Sequence, residues 1–309
     1  MGAAIGPKSN GRFSAEAEHA HCSPNEAVVL VPDSLLNWIE TTPLYLLGAV
    51  LLVFMFAGAV AGFRIRQRLE RETRKDAETW HQDYDGYIVS AVLGLLALLL
   101  GFTFSLAIGR YEERRALVVE EANALGTAYL RAQLLDAPHR QRLSRLLIAF
   151  TDSEIKLGTV NHPANIRELI AANDALQSDL WAATAAAFDS VRTIPLSLAI
   201  VQAMNAVIDD SAARRATRTV HIPTEVFAVL FVYLIGTAIV LGYVLAAGRG
   251  RLAAVFLLIL LCLSFLVVVD IDRPTSGGIR ESQQAMEDAL RSFQPPHLFD
   301  RWRPDTPRR

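Results

Sequence analysis

The sequence predicts an all-α membrane protein: four transmembrane helices in two pairs, with a long-helix, water-exposed bundle inserted between helices 2 and 3. Three observations predict it. Of 309 residues, 52% are hydrophobic and the mean hydropathy is +0.27, yet 20% are charged. That balance fits a membrane part joined to a water-facing part. Four runs reach the roughly 20 mostly apolar residues that a helix needs to span hydrocarbon, and none has a charge at its centre. No stretch alternates apolar and polar residues with the period of a strand.

Taken in order, residues 1–31 hold Lys8, Arg12, Glu16, Glu18, His19 and His21 around no apolar core. They lack the h-region of a secretory signal peptide and read as a disordered tail. Residues 32–108 comprise the stretch PDSLLNWIETTP, whose Trp38 suits the membrane interface, and two spans at 43–63 and 87–108. Residues 109–222 contain no spanning run. Pro138, Pro163, Pro195 and Pro223 divide them at intervals suited to long helices.

Each piece carries apolar residues three and four apart, which places them on one helical face. Val118, Ala122, Leu125 and Tyr129 mark the first, and Leu143, Leu146 and Phe150 the second. Asn173, Leu176 and Leu180 mark the third, and Ile200, Met204 and Ile208 the fourth. Four such faces can bury one another. Spans at 224–247 and 252–271 follow within 223–271. The short GRGR between them predicts an antiparallel hairpin. Residues 272–309 read as a short amphipathic helix (Ile279, Met286, Leu290, Phe293) and a Pro/Arg-rich disordered tail.

The stretch GFTFSLAIGRYEERR at 101–115 runs from apolar span into charge without a proline. A continuous helix over 87–135 would be about 73 Å long, a strut that leaves the membrane as the first rod of the bundle. Arg110, Glu113 and Arg114 stand at the boundary, spaced to pair with one another or to reach headgroups. Within the span, Ala97, Gly101, Ser105 and Gly109 form a ridge of small residues four apart. Gly58 with Gly62 and Ala238 with Gly242 repeat that spacing elsewhere. Such ridges let helix backbones approach closely; packing among the chain's own four helices is the expected use, and an oligomer face the second. Beside the ridge, Leu98, Phe102 and Leu106 would form a hydrophobic constriction if several copies met there. Ordinary core or lipid contact is the plainer reading of that row.

Several function classes are excluded or disfavoured. No ionisable residue lies at mid-membrane, which argues against a carboxylate-driven pump; hydroxyls at Thr103, Ser105 and Thr237 remain for a passive path. EHAHC at 18–22 and WHQDYDG at 80–86 contain ligand types, but neither holds about four ligands at the fixed geometry a metal needs, so neither a metal nor a cofactor is expected. No P-loop, GxSxG, HExxH or CxxC pattern occurs, so no enzyme is expected. The net charge of −2 argues against a nucleic-acid partner. Cys22 in the tail and Cys262 in an apolar run predict no disulfide.

LLLGFTFSLAIGRYEERRALVVEEANALGTAYLRA at 98–132 resembles the second-helix signature of the bacterial bestrophin-like membrane proteins, a domain family of unknown function. DIDRPTSGGIRESQQAMEDAL at 270–290 is similar to that family's segment after the fourth helix. True bestrophins are pentameric anion channels whose second helix lines a hydrophobic neck and continues into a cytosolic helical domain. The resemblance therefore implies a homo-oligomer, with Leu98, Phe102 and Leu106 where the neck residues stand. The neck's phenylalanine pair is not reproduced here.

Two functions stay open at this point. One is a homo-oligomeric passive anion channel in the inner cell membrane. The other is a membrane-anchored scaffold or signalling protein whose bundle binds a protein partner; the lipid bilayer is a partner in either. Orientation divides too. The 63–86 loop and GRGR hold eight basic residues against five in the opposing short segments, which places the bundle outside the cytoplasm. Counting the six arginines at the bundle's flanks makes it eight against eleven, and the resemblance implies a cytosolic bundle.

Overall fold

The computed structural model describes residues 42–72, 81–160, 163–193, 195–218, 220–244, 250–273 and 277–293. Among them are eight α-helices and no strand. These are α1 (Leu44–Glu72), α2 (His81–Ala132), α3 (Ala137–Thr159), α4 (Pro163–Ser190), α5 (Leu196–Arg218), α6 (Thr224–Val244), α7 (Gly250–Asp272) and α8 (Gln284–Ser292). The two predicted tails, the Trp38 stretch, the EHAHC cluster and most of the link between the last two spans lie outside the described residues.

Pro138, Pro163, Pro195 and Pro223 each stand at or beside a helix start, where a missing N–H removes no intrahelical bond. The second span does continue unbroken. α2 has 52 residues, about 78 Å at 1.5 Å per residue, and ends at Ala132 rather than Leu135 because 133–135 form a turn. α1 differs more. It runs to Glu72, past the expected end at Phe63, so Arg64, Arg66, Arg68 and Arg71 lie on a helix and not in a loop. The sequence RIRQRLERE offers good helix formers and no Gly or Pro to stop it.

α1, α2, α6 and α7 are long and apolar enough to cross a membrane; the protein is a multi-pass membrane protein. α1 and α6 run parallel and touch backbone to backbone. A Cβ added to Gly62 would lie 2.0 Å from the Ile239 carbonyl oxygen, and one on Gly242 would lie 2.0 Å from that of Ala59. Phe54 meets Phe231 edge-on at 5.9 Å in the same seam. The small residues of these two helices thus pack within the chain, as expected. The expected α6–α7 hairpin is not a packed pair: α6 rests mainly on α1, and α7 on α1 and α2. A short link fixes direction but not which faces meet.

Two apolar cores result. The first joins α1, α2, α6 and α7 around Leu51, Met55, Leu96, Leu234 and Leu258. The second joins α2, α3, α4, α5 and α8 around Leu125, Phe150, Leu180, Met204 and Met286. α2 is the element common to both, and a small cluster of Ala107, Ile222, Val268 and Ile271 lies between them.

Candidate functional site

One narrow stripe of α2 faces its own chain. Leu96, Leu100, Thr103, Ala107, Arg114, Val118, Glu121, Leu125 and Ala128 are all buried, spaced three, four or seven apart. At about 100° per residue these positions stay on one side of the helix. Thr103 uses its hydroxyl on the Leu99 carbonyl at 2.7 Å, and Thr237 is buried. Of the three hydroxyls expected to be free for an ion path, only Ser105 is exposed.

The far side of α2 is bare. Leu98, Phe102 and Leu106 are 54%, 63% and 55% exposed. Ala97, Gly101, Ser105 and Gly109 lie beside them, also exposed, and a Cβ on Gly101 or Gly109 would meet nothing within 4 Å. The expectation that this ridge packs against the chain's own helices therefore fails for α2, though it holds for α1 and α6. The same side continues beyond Gly109 with exposed Val119 and Leu130.

At the boundary, Glu113 is exposed and Arg110 half-buried. Arg114 is neither a headgroup ligand nor a partner of Arg110, because it stands seven residues after Ala107 on the buried stripe. Its Nε pairs with Glu281 Oε1 at 3.2 Å, and an Nη donates to the Ile271 carbonyl at 2.8 Å. That carbonyl is in the last turn of α7, where a cation meets the negative end of the helix dipole. The segment after α7 is pinned as well. Asp270 accepts from the Gly278 and Ile279 amides at 2.7 and 3.2 Å, and Asp272 accepts from the Ile222 amide at 3.1 Å.

Behind Arg114 lies a buried ionic network. Arg214 of α5 donates to Glu121 of α2 at 2.5 Å and to Gln283, and lies 3.7 Å from Glu154 of α3. Glu154 accepts from Asn173 of α4 and Ser211 of α5, each at 2.7 Å. Arg218 stands 3.8 Å from Glu281. Three arginines and three glutamates thus balance, and four helices plus the 281–283 segment meet on them. Burial first, and Glu154 second, push the Glu121 carboxyl up to about 7 from its ordinary 4.5, against the pull of Arg214. Burial and neighbouring Arg214 lower Arg218. Gly158 makes room for this: a Cβ there would lie 2.6 Å from the Gln283 side chain.

Sequence reasoning missed this network, although a signal was present. Arg114 and Glu121 fall in the buried register of α2, Glu154 four residues after Phe150, and Arg214 seven after Val207. Charges at core positions on three helices must find one another, since an unpaired buried charge is costly. Of the metal-type residues, His81, Asp83 and Asp85 have side chains outside the described residues. No group of three His, Cys, Asp or Glu suited to a metal occurs among the described ones.

Fold and site together define a four-span helical membrane protein whose second helix leaves the membrane part to organise a second core. The chain belongs to the bestrophin-like family: the Bestrophin-like domain matches residues 53–286. Its fold is similar to crystal structures of a bacterial bestrophin homologue from Klebsiella pneumoniae. One has 15% identity and a TM-score of 0.59 over 79% of this chain and 96% of that one. Another, a variant, has 16% identity and a TM-score of 0.58 over 84% and 97%. No curated protein sequence matches the chain.

Proposed function

We propose that the chain forms a homo-oligomeric, passive anion channel in the inner cell membrane. α2 of each copy lines a shared pore, and Leu98, Phe102 and Leu106 form its hydrophobic constriction. The second core stands outside the bilayer as a water-exposed bundle between α2 and α6, and α2 carries its state to the constriction through Arg114 and Glu121. One observation carries the reading: the outward side of α2 is unpartnered both within the span and beyond it. Lipid could cover Phe102, but no lipid covers Val119 and Leu130, which are 44% and 55% exposed. A second copy covers both, and the small ridge lets its helix come close. Resemblance to bestrophins supplies the anion.

The test is chloride flux from vesicles holding the purified full chain. Flux above that of empty vesicles is expected, and Phe102→Ala should raise it several-fold by widening a dewetting constriction. No chloride flux at any voltage from correctly folded protein would sink the channel reading. A scaffold that binds a protein partner without transport is the alternative; it draws support from exposed Trp181 and Leu198 in the second core.

A further inference from the structure

The C-terminal end of α1 carries a stripe of arginine that neither core uses. From Leu44, α1 is apolar through residue 63, and 20 residues at 1.5 Å span about 30 Å, the thickness of the hydrocarbon core. The helix then continues to Glu72 as RIRQRLERE. Arg64, Arg68 and Arg71 are spaced four and three apart, so they point within about 60° of one another. All three are exposed, and among the described residues no ion pair holds them. Exposed Ile65 and Leu69 flank the stripe.

Arg66, on the other side of the helix, shows the contrast. It donates to the Tyr243 and Val244 carbonyls, each at 3.0 Å, so it caps the end of α6. With the close approaches of Gly62 to Ile239 and of Gly242 to Ala59, those bonds fix the height of α1 relative to α6. Arg251 in the first turn of α7 stands over the Phe63 ring at 5.6 Å, adding a fourth cation at the level of Arg64. From Arg64 to Arg71 the helix rises about 10 Å, and each headgroup layer is about 5–8 Å deep. The stripe therefore crosses the layer where lipid phosphates lie, beginning at its hydrocarbon edge.

We propose that Arg64, Arg68 and Arg71 form a seat for anionic phospholipid headgroups. A guanidinium fork matches a phosphodiester in bidentate geometry. A net negative headgroup is preferred over a zwitterionic one, whose ammonium repels the stripe. Ile65 and Leu69 rest on the upper acyl chain. Arg64 and Arg68, nearest the hydrocarbon edge, hold the phosphate, and Arg71 adds long-range attraction. The seat stands whether or not α2 lines a pore.

The test is thermal unfolding of the full chain in neutral-detergent micelles titrated with phosphatidylglycerol, phosphatidylcholine or inorganic phosphate. Phosphatidylglycerol is expected to raise the melting temperature, the other two far less. In the Arg64→Gln/Arg68→Gln/Arg71→Gln variant the lipid concentration for half the shift should rise by about five-fold per arginine removed. Should that variant fail to fold, Arg68→Gln alone is expected to show the single five-fold step. An equal response to phosphatidylcholine or to free phosphate, or variants that respond like the natural chain, would overturn the proposal. Melting does not depend on transport, so this result and the flux result can fail separately.

Discussion

Replacing Arg214 with leucine tests whether the buried network is electrostatically bound together. Arg214 is 1% exposed and Glu121 0%, so solvent cannot replace what is lost. In Arg214→Leu, Glu154 keeps its hydrogen bonds from Asn173 and Ser211, whereas Glu121 is left to hold a proton or an unpaired charge. At pH 6 Glu121 is already protonated in the natural chain, since its carboxyl titrates at about 7. The loss there is that of the arginine's charge-assisted hydrogen bonds, about 2–3 kcal/mol. Above pH 7 the natural chain releases that proton while the variant must keep it, and each pH unit adds about 1.4 kcal/mol. By pH 8.5 the variant should be less stable by about 4–5 kcal/mol, in line with a broken buried ion pair. Equilibrium denaturant unfolding in mild detergent at the two pH values measures this. A loss below about 1 kcal/mol, or one equal at both pH values, would refute the reasoning.

Three further perturbations follow, one from the network and two from the helix-packing glycines. Glu121 titrates above its ordinary value, so the native state binds more protons than the unfolded chain between about 4.5 and 7. The natural chain should lose on the order of 3 kcal/mol across that window from this group, and Glu121→Gln should flatten the curve of melting temperature against pH. Gly62→Val should lower the melting temperature strongly, because its Cβ meets the Ile239 backbone at 2.0 Å and the helices must part. Gly101→Leu should leave melting of the isolated chain unchanged but reduce the particle mass seen by light scattering, since its Cβ meets nothing in its own chain.

The unbroken course of α2 was legible because its stripe of apolar spacing runs through the charged stretch without Gly–Pro punctuation. The starts of α3, α4, α5 and α6 were legible from the prolines. Which small-residue ridge packs where was not. Gly58–Gly62 and Gly101–Ser105 look alike in one dimension, and only the presence of Gly242 across from the first separates them. Arg114 and Glu121 were hidden for another reason. Each sits among neighbouring charges in EERR and VVEEA, so each reads as part of a solvated face until the register of the buried stripe is set. The extension of α1 was misread because arginines suggested a loop, although charge alone does not end a helix.

The central claim is that the bare side of α2 faces the same side of other copies. Cross-linking of a Phe102→Cys chain in native membranes, in a Cys22→Ser background, tests it most directly, with Phe256→Cys on exposed α7 as the comparison. The account predicts covalent dimers from Phe102→Cys under mild oxidation and few from Phe256→Cys. Chains that stay monomeric at Phe102→Cys, or link no better there than at Phe256→Cys, would contradict it.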